Sequence, residues 1–313
     1  MPSSGFAANT IIIMCDGKTK KIQDIKPNNK IISIDGSAQI INKITKGTGK
    51  MYDIISVKGT TYTVPGDHVL LLKISTGGMI KWCGNKYKIQ WLENFSFKYK
   101  SFSVSNPKFK EDVYKKALQF IKKELPKIKE YSAYGDIVKI TVDEYMKLPK
   151  YVQKYYKGFS HGIEFPNKEV DVDPYIFGYW LGDGTSADTK ITTAEPEIVE
   201  AFNKYAEKNN LIFKKIGKSK YNYNVTSGIK HGIININPFR NFLKKYNLLN
   251  NKHIPGDYKM NSRKNQLKLL AGLIDSDGHY INNCYEIVFK SKKLAEDTVF
   301  LARSLGFKSF IKN

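Results

Sequence analysis

The chain has 313 residues, room for two or three domains, and 41% of them are hydrophobic, enough for packed cores. Its formal net charge of +22 points to a polyanionic partner, and an AT-rich codon bias would also yield this much Lys, Asn, Ile and Tyr. No apolar run is long enough to span a bilayer as a helix and no signal peptide is read, so neither a helical membrane protein nor a secreted one is expected.

Residues 5–72 read as β-rich. Thr10–Met14 predicts a strand and Cys15-Asp16-Gly17 a turn; Ile22–Ile25 precedes a second turn at Lys26-Pro27-Asn28-Asn29. Strands follow at 30–34, 51–57 and 61–64, and Gly66-Asp67 leads into His68 and the apolar run Val69–Leu72. The stretches Gly5-Phe6-Ala7-Ala8-Asn9-Thr10, Met14-Cys15-Asp16-Gly17 and Thr63-Val64-Pro65-Gly66-Asp67-His68 resemble the N-terminal part of the Hint domain of inteins. The resemblance implies that Gly5 occupies the position of the splicing nucleophile and His68 that of the histidine activating the scissile amide. Glycine carries no nucleophile, so the first acyl shift is expected to fail.

Residues 79–130 hold thirteen lysines against five acidic residues. Strands are expected at 87–91, 95–99 and 101–104, and a helix over 107–125 from the spacing of Val113, Ala117, Phe120, Ile121 and Leu125. Three strands and a helix, basic and aromatic, look like an AP2-like DNA-recognition module, with Lys88, Lys98 and Lys100 as candidate DNA contacts. Trp82 and Trp91 can serve the core or stack on bases. Residues 136–170 read as a connector with a strand at 137–140 and helix over 142–156.

Asp173-Pro174 is a helix start, and Tyr175–Gly184 (YIFGYWLGDG) is an apolar helix ending in Asp183-Gly184. Leu269–Gly278 (LLAGLIDSDG) repeats the pattern, with Gly272, Ser276 and Asp277 falling where Gly178, Gly182 and Asp183 fall. Small residues four apart share a helix face and let two backbones approach closely. Packed so, the helices bring Asp183 and Asp277 together at one end, and two such carboxylates favour a cation between them. Gly184 and Gly278 are expected to close the helices as C-terminal glycines.

After Asp183 the expected order is strand 189–193, helix 196–209, strands 211–216 and 221–227, helix 237–248. Lys190, Lys214, Lys215, Lys218, Lys220, Tyr221 and Tyr223 would lie on or near one sheet face, each lysine either a solvated charge or a DNA contact. Lys252-His253-Ile254-Pro255 precedes the second motif. That motif continues into a strand over 285–290, a helix over 292–305 and a strand from 307.

Leu270–Gly278 reads LAGLIDSDG, and on both motifs the chain resembles the LAGLIDADG homing endonucleases. The resemblance implies an α+β fold: a β-rich Hint-like segment (1–75), a basic β-β-β-α insert (76–135), the connector (136–170) and a LAGLIDADG pseudo-repeat (171–313) with its second repeat incomplete. It implies Mg²⁺ or Mn²⁺ held by Asp183 and Asp277 with the carbonyls of Gly182 and Ser276, Lys252 as an active-site lysine, and double-stranded DNA as substrate. The ending lacks the Hint strands and the His-Asn pair of a complete intein, so a separate C-terminal intein fragment is an expected partner. A non-catalytic DNA-binding protein is the rival expectation. Cys15, Cys83 and Cys284 form neither a CxxC metal site nor a disulfide framework, which fits a reducing intracellular compartment, cytoplasm or nucleus.

Overall fold

The computed structural model describes residues 5–16, 18–33, 35–56, 61–228 and 237–312. Gly17 in the first expected turn, Ile34 and Val57 at two strand ends, and Asn313 lie outside them. Contacts divide the chain into two compact units, Met1–Thr10 with Thr45–Phe159, and Ile11–Ile44 with Ser160–Asn313.

The chain opens with two hairpins, both in the second unit. β1 (Ile11–Ile13) pairs with β2 (Thr19–Lys21), and β3 (Lys30–Ile32) with β4 (Ala38–Ile40). Residues 22–24 form a short 3-10 turn. The Hint-like stretch 1–75, expected as one segment, is thus divided between the units.

The first unit continues with the hairpin β5 (Met51–Ile54) and β6 (Tyr62–Pro65), then β7 (Val69–Ile74). The basic insert supplies β8 (Met79–Cys83), β9 (Lys86–Glu93) and β10 (Ser96–Ser103), with β9 central. Here the expected register fails. The stretches 95–99 and 101–104 are one strand, and the third strand is β8, which lies earlier. The β9–β10 turn sits at Asn94 and Phe95, both with positive φ (45° and 57°), a conformation that Phe conceals in sequence. Helix α1 (Lys110–Gln119) crosses one face and buries Ala117 against Ile89 and Trp91, while the wound chain runs on through residues 120–127 and buries Leu125 in the same cluster.

β11 (Tyr131–Ser132) adds to β9, and β12 (Ile137–Thr141) and β13 (Tyr156–Lys157) pair with the two edges of β7. Thr141 and Glu144 cap α2 (Val142–Lys147) reciprocally, and α3 (Lys150–Gln153) follows. Residues 137–157 are therefore not a connector. An apolar strand such as β7 leaves unpaired backbone on each side, and this segment pairs with both, burying Ile140, Val142, Val152 and Tyr156.

The rest of the second unit builds around α4 (Pro174–Asp183), which buries every residue from Ile176 to Leu181. Asp173 caps it, accepting the Tyr175 amide at 2.9 Å. β14 (Lys190–Thr192), α5 (Pro196–Lys208), β15 (Ile212–Lys215), β16 (Asn222–Thr226) and α6 (Pro238–Lys245) follow, with sheet order β14-β16-β15. Then come α7 (Gly256–Lys259), α8 (Arg263–Asp277), β17 (Gly278–Ile281) paired with β18 (Cys284–Ile287), and α9 (Lys292–Ser304). Helix α8 begins six residues before the expected stretch, and residues 307–311 form no strand. One core joins Phe177, Trp180, Phe202, Phe242, Leu269, Leu273 and Leu301. Among the described residues no helix is long and apolar enough to cross a membrane.

Candidate active site

The two motif helices lie against each other along their small residues. A Cβ on Gly178 would strike the Leu269 carbonyl, and one on Gly272 the Tyr175 carbonyl and, at 2.7 Å, the Tyr179 amide. A Cβ on Gly182 would strike Ser276 and stand 3.0 Å from Asp277 Oδ2. The contact therefore runs the length of both motifs, and it sets the Asp277 carboxylate against the backbone next to Asp183.

Gly184 and Gly278 do not act as left-handed caps. Their φ values are −74° and −79°. Their need for glycine is clearance: a Cβ on Gly184 would meet the Trp180 carbonyl, and one on Gly278 would stand 2.8 Å from Ile274 Cα.

Asp183 is half-buried and Asp277 more open. Burial raises the Asp183 carboxyl above its ordinary pKa; a hydrogen bond from Tyr179 opposes this, the Asp277 charge adds to it and Lys252 lowers it. Burial raises Asp277 too, against Lys252. Lys252 approaches from an irregular segment. Its Nζ donates to the carbonyls of Gly182 at 3.0 Å and Gly184 at 2.6 Å and lies 5.1 Å from the Trp180 ring centre. Burial pushes this amine down to about 8, against the pull of Asp277 and Asp183.

These residues fit a hard divalent cation. Two carboxylates held above their normal pKa are short of positive charge, and the available donors are oxygens. Gly182's carbonyl already takes Lys252 but keeps a second lone pair. Among the described residues no cluster of three or more His, Cys, Asp or Glu could hold a metal, so an ion bound by this pair would complete its shell with water or substrate oxygens, as Mg²⁺ commonly does.

The expected DNA-facing residues do not share single faces. Lys190 and Lys214 both pair with Asn224, on the open side of the sheet. Tyr223 lies on the other side, stacked on Phe213 at 4.9 Å and packed against the core. Lys218 and Lys220 lie in the exposed loop between β15 and β16. In the insert, Lys98 pairs with Trp91 and Lys100 with Ile89, which puts both on the α1 side, and Lys100 Nζ stands 4.2 Å from the Phe120 ring centre. Lys88 faces the opposite way with Lys81 and Ser101. Sequence reasoning missed Lys81, whose side becomes apparent once β8 is recognised. Trp91 is buried; Trp82 is 42% exposed beneath Lys110.

At the start of the chain, Phe6 packs edge-on to the His68 ring at 5.0 Å, and the buried His68 Nδ1 has no hydrogen-bond partner among the described residues. Burial lowers the His68 pKa, opposed by the Gly5 backbone and the Asp67 charge.

A two-part chain, with a β-rich first portion and a paired-helix carboxylate site near its end, is thus the class that fold and site define. Comparison with protein families matches a stretch at each end of the chain. Residues 5–143 match the Hom_end-associated Hint family and residues 254–313 the homing endonuclease family. The chain is an intein with a homing endonuclease domain. It is also 31% identical over 150 residues to the replicative DNA helicase DnaB of Mycobacterium intracellulare, a stretch covering 48% of this chain and 22% of that protein.

Proposed function

We propose that the chain is a LAGLIDADG-type homing endonuclease that makes metal-dependent, site-specific double-strand cuts in DNA and is defective in splicing. The observation that carries this reading is the glycine-lined helix contact, which leaves Asp277 Oδ2 3.0 Å from where a Gly182 Cβ would stand, one residue from Asp183. Asp183 and Asp277 hold Mg²⁺ or Mn²⁺, with the carbonyls of Gly182 and Ser276 as further oxygen donors. The ion supplies Lewis acidity and charge neutralisation at the phosphate. Lys252 ties down the end of α4 through two carbonyls and offers its ammonium to an anionic phosphate oxygen. The basic faces of the insert and of the first-repeat sheet bind the duplex through phosphates.

The helicase likeness names the first substrate to try: duplex DNA from an uninterrupted helicase gene, with Mg²⁺, scored for double-strand breaks. Cutting that disappears in Asp183→Asn and Asp277→Asn supports the assignment. Cutting that survives both removes these residues from the mechanism. Binding with a steep salt dependence but no cutting would favour a non-catalytic DNA-binding protein.

Defective splicing rests on Gly5. His68 is next to the Gly5 backbone, but nothing there can attack an acyl carbon. Mass spectrometry should find no processing at Ser4-Gly5, even when a C-terminal intein fragment is supplied as partner. A product beginning at Gly5 would refute it.

A further inference from the structure

Lys252 sits on residues 251–255, which have no regular structure. Much of what holds them comes from α9, in the other repeat. Ser291, the cap of α9, donates through Oγ to the Lys252 carbonyl at 3.4 Å. Asp297, further along α9, accepts the Ile254 amide through Oδ2 at 3.0 Å. Its Oδ1 takes Lys259 Nζ at 2.5 Å and Lys293 Nζ at 2.7 Å. The Asp297 side chain is 3% exposed.

A carboxylate this deep is rare without full pairing, and for stability alone an apolar residue would often do as well or better. Here one oxygen takes the two ammonium groups and the other takes the backbone of the lysine-bearing segment. We infer that Asp297 is a positioning residue for Lys252. By fixing Ile254, two residues on, it aims the Lys252 ammonium at Gly182 and Gly184. In this way the second repeat sets the reach of the amine that closes the first. The inference rests on the nuclease reading above.

The test measures single-turnover cleavage by wild type, Asp297→Leu, Asp297→Asn, Lys252→Met and the Asp297→Leu/Lys252→Met double variant. Asp297→Leu should slow cleavage about 10- to 100-fold while DNA affinity stays within about twofold, and Asp297→Asn, which keeps an oxygen for Ile254, should recover most of the rate. In the Lys252→Met background the same change should alter the rate less than about twofold. An equal loss in both backgrounds overturns the inference. A second readout needs neither metal nor DNA: acylation of Lys252, followed by mass spectrometry and referenced to Lys81, should rise several-fold in Asp297→Leu, or in Asp297→Ala should the leucine variant not fold. An unchanged labelling rate overturns the inference as well. A wild-type chain that never cuts DNA sinks the nuclease reading, and the labelling result still decides this one.

Discussion

The two motif helices of the second unit end alike and are supported differently. Helix α4 is enclosed by a three-stranded sheet and by α5 and α6, and it is buried on every residue from Ile176 to Leu181. Helix α8 is backed by the two-stranded hairpin β17–β18 and by α7 and α9, and near its end Ala271, Ile274, Ser276 and Asp277 stay partly or fully accessible. Tyr280, Tyr285 and Val288 beside it are 59%, 61% and 86% exposed. The helix seam is close to symmetric; the surroundings of its two carboxylates are not. Geometry at the site thus comes from the seam, and electrostatics from the unequal burial of the two carboxylates and from Lys252.

The largest effect should come from the carboxylates themselves. In the proposed function each carboxylate makes up half of the cation site, so Asp183→Asn and Asp277→Asn should each reduce cleavage by more than about 100-fold, beyond what loss of a residue that only orients a ligand costs. A chain in which one variant cuts normally would break the symmetry at its centre. Next is the seam. Gly272→Val drives a side chain into the Tyr175 carbonyl and the Tyr179 amide. Overpacking against backbone should cost about 3 kcal/mol, seen as a lower denaturation midpoint, and should weaken cleavage along with it. A neutral outcome would mean that the helices do not abut.

The asymmetry should appear in the thermal stability of the metal-free protein. A carboxyl whose folded pKa is raised disfavours its ionised form in the folded state. It lowers stability as pH rises from the ordinary value of 3.8 through the folded value, and the loss is complete above that. At pH 7 both Asn variants should therefore melt higher than wild type without metal. Asp183→Asn should gain more, because Asp183 is the more enclosed of the two, whereas their mutual repulsion is relieved by either change. Mg²⁺ should raise the melting temperature of wild type and of neither variant. Equal gains would erase the distinction between the repeats.

The seam was legible in the sequence because its cause is local: small residues four apart, a cap, a terminal Asp. Gly178, Gly182 and Gly272 meet the partner helix as the spacing requires. Elsewhere the deciding partner is remote or concealed. β7 finds its neighbours more than sixty residues downstream, so 137–157 reads as a connector until its pairing is known. The turns at Asn94-Phe95 and Asn282-Asn283 take positive φ without a glycine to announce it. Tyr223 reads as a groove residue because strand alternation alone does not say which face is buried. Asp297 looks like any surface acid on an amphipathic helix; the amide it accepts lies 43 positions earlier.

The smallest effect tests the open faces. In the first repeat, Lys190, Asn224 and Lys214 lie in one row across the sheet, and Asp188 stands 3.5 Å from Lys190. In the second, the matching side of the hairpin pairs His279 with Glu286. Only the first row presents net positive charge to a phosphate backbone. Each phosphate contact contributes a slope of about −0.9 in log affinity against log salt. Lys214→Ala should flatten the slope by close to that amount, and Lys190→Ala by less, since Asp188 already offsets part of its charge. His279→Ala should leave the slope unchanged, whereas Glu286→Gln should tighten binding slightly by removing a repulsive charge. A slope that responds equally to both repeats would mean that the duplex lies symmetrically across the pair, despite the unequal sheets beneath it.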